Sequence, residues 1–166
     1  MTVHVEPELR DRLLPWAALL ARLLLAGVWL YAGASKVTDL PGSVRAVNAY
    51  QIIPVSAGQV VGAALPLAEI TLGLLLLAGL GLRAAATASA VLLTLFVAAI
   101  TSAAARGLRI DCGCFGDGGA LAAGESTAYG SEIARDVALL TLSVLLAIWP
   151  YSHFSVDNLV SDQEIS

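Results

Sequence analysis

AAATASAVLLTLFVAAITSAAA, residues 84–105, runs for 22 residues without an Asp, Glu, Lys or Arg. At helical rise it measures about 33 Å, enough to cross the hydrocarbon core of a bilayer. Its apolar residues come in blocks rather than alternating, which excludes the strand of an outer-membrane barrel. Hydrocarbon offers backbone N–H and C=O groups no partner, so such a run crosses as a helix.

Working outward, Leu13 to Ala34 is a second run, interrupted by Arg22, and Val55 to Leu80 a third, containing Pro66 and Glu69. A fourth, Val137 to Trp149, is short, so its helix is predicted to begin near Gly130 and to carry Glu132, Arg135 and Asp136 in its first turns. The sequence thus predicts one membrane domain, an all-α integral membrane protein built as a four-transmembrane-helix bundle. The spans are 13–34, 55–80, 84–105 and 130–151, with polar tails at 1–12 and 152–166. Composition agrees: 58% of residues are hydrophobic and 13% charged, against about 25% charged in soluble domains. Nine Lys and Arg against thirteen Asp and Glu leave a net charge of −4, with no basic excess for nucleic acid.

Gly81-Leu82-Arg83 makes a tight hairpin, whereas Ser35–Pro54 and Arg106–Tyr129 are long connections that four crossings place on one face. Trp16, Trp149 and Tyr151 would mark the opposite interface, and Trp29 and Tyr31 the loop-side one. The mixed charges before residue 13 and Arg22 within the first run argue against a cleaved signal peptide. Lys and Arg divide three (Arg10, Arg12, Arg83) against four (Lys36, Arg45, Arg106, Arg109), which gives no vote on orientation.

Both cysteines fall in Cys112-Gly113-Cys114-Phe115-Gly116, within a glycine-rich loop. A one-residue spacing closes almost no chain, so a disulfide here would add little stability. A strained, exposed bridge is the exchangeable kind. Redox exchange with a partner thiol protein leads, a soft-metal site for monovalent copper is second, and a pair of inert loop thiols is third. Arg106, Arg109, Lys36 and Arg45 are the cations available to favour a thiolate, with Asp111 and Asp117 opposing them.

Within the spans, Arg22 and Glu69 lie at similar depths from the tail side, about 14 and 17 Å at helical rise. Buried charges need partners, so the two are predicted to pair, either fixing register or serving as a proton relay or a quinone anchor. Lys36 is expected to pair with Asp39. Arg135-Asp136 is expected to pair locally or to position the cysteine loop. Gly58 and Gly62 form a small-xxx-small packing motif.

The string RGLRIDCGCFG, residues 106–116, resembles the hallmark of the MauE branch of the MauE/DoxX membrane proteins. Arg22, Gly27, Trp29, Gly33, Lys36, Asp39, Pro66, Glu69, Gly73 and Arg135-Asp136 match in order. The resemblance implies a four-helix redox-associated protein of a bacterial inner (plasma) membrane, similar in arrangement to vitamin K epoxide reductase. Such relatives use two cysteine pairs, where this chain has one. It further implies Cys112 and Cys114 as the exchanging pair of a thiol-disulfide oxidoreductase, facing a thioredoxin-like partner. Arg22, Glu69, Lys36, Arg106, Arg109, Asp111 and Arg135 would support that pair. The activity would mature exported proteins such as methylamine dehydrogenase. A non-enzymatic assembly or copper-binding role and a quinone-binding subunit are the alternatives. Disulfide chemistry favours an oxidising compartment, which puts the cysteine loop outside and both termini in the cytoplasm.

Overall fold

The computed structural model describes residues 7–113, 118–121 and 126–150, with side chains from residue 13 onward. In chain order these form α1 (Pro7–Val37), α2 (Leu40–Ala49), α3 (Val55–Ala78), α4 (Leu82–Ala105), β1 (Ile110–Asp111), β2 (Gly119–Ala120) and α5 (Tyr129–Ile148). Leu13–Val37, Val55–Ala78 and Leu82–Ala105 are long and apolar enough to cross a membrane. Helix α5 misses that standard because Glu132, Arg135 and Asp136 occupy its first two turns.

The distribution of side chains is inverted relative to a soluble domain. Leu20, Val60, Leu67 and Leu95 stand at the surface, each at least 60% exposed, while Arg22, Lys36, Ser43, Glu69, Ser89, Glu132, Asp136 and Ser143 are buried. Polar groups gathered inside an apolar exterior fit lipid as the surrounding solvent. The apolar core joins Leu25, Ala26 and Trp29 of α1 to Leu76 of α3, Leu93 of α4 and Leu139 and Leu146 of α5.

Helices α1 and α3 touch through glycine. A Cβ on Gly33 would come within 2.8 Å of the Pro66 carbonyl, and one on Gly73 within 2.7 Å of the Leu30 side chain. The bare backbones allow this approach and fix an antiparallel register, Gly33 beside Pro66 and Ile70, Leu30 beside Gly73.

Helix α2 lies inside the long Ser35–Pro54 connection, where the sequence predicts no helix. Asp39 caps it, its carboxylate accepting from Gly42 N at 3.0 Å, with proline in the first turn. The helix folds back along the start of α3 and covers the Gly58/Gly62 motif: Cβ atoms there would meet Asn48 Oδ1 at 2.1 Å and Val44 Cα at 2.6 Å. Pro66 has no N–H for the carbonyl four residues before it, at Gly62. The Ser43 hydroxyl donates to that carbonyl at 2.7 Å, so α2 supplies the donor that proline removes.

Trp29, expected at the membrane interface, is only 2% exposed. Its indole N–H donates to Ser89 Oγ at 2.8 Å, and Ser89 and Ser143 hydroxyls lie 3.0 Å apart. A buried polar indole needs such a partner, and this one links α1, α4 and α5. Trp16, Tyr31 and Trp149 are exposed.

Candidate functional site

The two long connections meet at one end of the bundle. Strands β1 and β2 pair antiparallel, Ile110 with Ala120 and Asp111 with Gly119, so Cys112 leaves the hairpin just past β1. Cys114 lies outside the described residues. Gly113 adopts φ +66°, and a Cβ there would strike Ala46 at 2.7 Å and Gly118 at 3.0 Å. Glycine between the cysteines is therefore required both by backbone angle and by space.

Neighbouring side chains hold this hairpin. Tyr50 Oη donates to the Cys112 carbonyl at 3.2 Å. Tyr129 Oη donates to Leu108 O at 2.6 Å and accepts from Ile110 N at 3.1 Å. Arg106 reaches the carbonyls of Tyr50 and Gln51, so its guanidinium ties the two connections together instead of facing the sulfur. Arg109 is exposed, and exposed Arg45 pairs with Asp39 at 3.4 Å.

The cation at the sulfur is Arg135. Its Nη2 lies 3.9 Å from Cys112 Sγ, while its Nε donates to Asp136 Oδ1 at 2.9 Å. A guanidinium at this position favours the thiolate. Asp111 receives Gly113 N at 2.9 Å. Oxygens of Asp111 and Glu132 and the Cys112 sulfur all lie within 4.8 Å of one another. Among the described residues this set offers two hard oxygens and one thiolate, while the second thiolate that a soft-metal site would use, Cys114, lies outside them.

The expected Arg22–Glu69 pair does not form, nor does Lys36–Asp39. Glu69 Oε1 accepts from Lys36 Nζ at 2.5 Å, with both side chains at most 3% exposed. Lys36 Nζ also lies 5.9 Å from the Phe96 ring centroid, within cation–π range. The reason is register. Helix α1 begins at Pro7 and continues to Val37, so depth counted from Leu13 misaligns it. The glycine contacts put Glu69 level with the last turns of α1, and Arg22 falls about 21 Å from Lys36 along the helix, near the α3–α4 hairpin. Arg22 is nonetheless buried, at 3% exposure. A quinone headgroup held between Arg22 and Glu69 loses its basis with that separation.

A cavity of about 290 Å³ instead connects the two chemistries. Lys36, Tyr50, Leu65, Phe96 and Cys112 are among its lining residues. A much smaller one, of about 20 Å³, borders Trp29, Glu69, Phe96, Arg135 and Asp136.

Glu132 and Asp136 went unrecognised as site residues, although a signal existed. The buried positions of α5 are Glu132, Asp136, Leu139, Ser143 and Leu146, a spacing of four and three that marks one helix face. Both carboxylates therefore sit on the inward stripe.

Charged groups buried within an apolar exterior, beneath a cysteine-bearing hairpin, define a mostly helical membrane protein. Among known proteins, the family described as methylamine utilisation protein MauE matches residues 14–150, and the chain belongs to that family. It is 34% identical over 98 residues to the methylamine utilization protein MauE of Paracoccus denitrificans, which covers 58% of this chain and 53% of that protein. The chain thus spans about half the length of that curated relative. No solved structure matches it.

Proposed function

We propose that this protein is a membrane accessory of thiol-disulfide chemistry, exchanging disulfides between Cys112–Cys114 and a thioredoxin-like partner. Helix α5 is the fourth span in this reading, its charged first turns lying against α1, α4 and the hairpin rather than lipid. The membrane is a bacterial inner (plasma) membrane, with the hairpin outside and both termini in the cytoplasm. The relative's description suggests that the service is to methylamine utilisation, in the maturation of an exported protein such as methylamine dehydrogenase.

The observation that carries the reading is Arg135 Nη2 at 3.9 Å from the sulfur of half-buried Cys112. A thiolate so stabilised attacks a partner disulfide and expels one partner thiolate, forming a mixed disulfide; the Cys114 thiolate then attacks the Cys112 sulfur, closing the Cys112–Cys114 bridge and releasing the second partner thiolate. Cys114→Ser removes the resolving sulfur and should trap that mixed disulfide, visible as a reductant-sensitive adduct. Without an adduct and with function intact, the non-enzymatic assembly reading takes over.

The 290 Å³ cavity favours a second reading, a quinone subunit. Its walls are almost wholly apolar, it reaches Cys112, and Lys36 supplies a buried cation for a ring carbonyl. Quinone that co-purifies with the protein and is lost on filling this cavity would support it.

A further inference from the structure

Among the described residues, three buried carboxylates each present one oxygen without a hydrogen-bond partner: Glu132 Oε2, Asp136 Oδ2 and Glu69 Oε2. These residues are 7%, 2% and 0% exposed. An unsatisfied carboxylate oxygen in such surroundings is costly, and a proton or a water is the smallest species that relieves it.

These oxygens are arranged in order. Glu132 stands with Asp111 around Cys112 Sγ, within 4.8 Å. Asp136 follows Glu132 by four residues on the inward face of α5, so their Cβ atoms are about 6 Å apart. Asp136 and Glu69 border the same 20 Å³ cavity, enough for one water, which needs roughly 10–15 Å³. Lys36 closes the far end on Glu69 and Arg135 flanks the near end on Asp136. Among the described residues these three buried carboxylates and half-buried Asp111 thus face two cations, Lys36 and Arg135, so the cluster has an anionic place left to hold a proton. Asp111 is committed to Gly113 N, and Tyr129 to the hairpin backbone.

We infer that Glu132 is the proton acceptor of the Cys112 thiol, and that Asp136, one water and Glu69 extend it into a proton line through the bundle. In the balanced step, the Cys112 S–H bond breaks and its proton passes to a Glu132 carboxylate oxygen. The electron pair stays on sulfur, beside Arg135, as the thiolate that attacks the partner disulfide. No net oxidation occurs in this step. The line receives the proton before Glu132 acts again. This inference rests on the thiol-exchange reading above and assigns the acid–base residue of that same site.

The test is infrared difference spectroscopy of the full chain in lipid vesicles, reduced with a phosphine and reoxidised with diamide, with free thiols counted in parallel. The expected reduced-minus-oxidised spectrum contains a protonated-carboxyl band that shifts in heavy water. The band should be lost in Glu132→Gln, retained at a shifted position in Glu132→Asp and unmoved in Asp111→Asn. Should Glu132→Gln fail to fold, the shift in Glu132→Asp decides. Full thiol cycling without such a band, or with one that ignores both Glu132 variants, overturns the inference and leaves thiol exchange standing. Thiols that never change state overturn both.

Discussion

Ser43 Oγ donates to the Gly62 carbonyl at 2.7 Å, the one that Pro66 deprives of its helical donor. Proline in a membrane helix is tolerated where a neighbour satisfies the freed group, and here the neighbour is the returning helix α2. The same helix carries Ala46 against Gly113, so the proline that breaks the α3 hydrogen-bond ladder also helps seat the cysteine hairpin.

Ser43→Ala should destabilise the protein by about 1–3 kcal/mol, the cost of a buried acceptor left unmade. Gly62→Ala should do at least as much, because its Cβ would meet Val44 Cα at 2.6 Å. Thermal unfolding in detergent measures both.

Lys36→Met or Glu69→Leu alone should cost about 3–5 kcal/mol, since each strands a buried charge. The double variant, apolar at both positions, should recover most of the loss. If it is no more stable than the worse single variant, the pair is not an isolated coupled unit.

Arg135→Gln should slow alkylation of Cys112 by uncharged iodoacetamide about tenfold near neutral pH, in a Cys114→Ser background. That is the effect of removing one charge-assisted contact of roughly 1.5 kcal/mol. Arg135→Lys should restore part of the rate.

Ser161→Cys in a background lacking Cys112 and Cys114 should resist impermeant maleimide applied outside intact cells and react after lysis. Labelling from outside would reverse the orientation proposed for the termini.

Ala99→Phe fills the 290 Å³ cavity from α4 without altering Cys112. Co-purified quinone should fall severalfold, while alkylation of Cys112 changes little. Unchanged retention would remove the quinone reading.

The helical membrane class was legible because apolar runs of some 20 residues have few other physical solutions. Three of the runs coincide with helices that meet the length and hydropathy standard. Pairing was harder to read. Arg22 and Lys36 lie on the same buried face of α1, so period alone could not choose which meets Glu69. That choice depends on the Gly33 and Gly73 contacts, which set the register between helices far apart in sequence. Helix α2 was signalled by Asp39 and the first-turn proline, a pattern of cap and start, but its ten residues carry too little apolar character to mark a span. The environment of Cys112 was half visible. Asp111 is its neighbour in sequence, whereas Glu132 and Arg135 arrive from a helix some twenty residues later.

The union of Lys36 with Glu69 also bears on biogenesis. An acidic side chain at the centre of an isolated helix adds about 2.5–3.5 kcal/mol to its insertion, and Glu69 sits in the middle part of α3. Helix α1 leaves the ribosome before α3 and carries the ammonium in its last turn. The two segments therefore partition most cheaply as a couple leaving the translocon together, with the earlier one as the later one's escort.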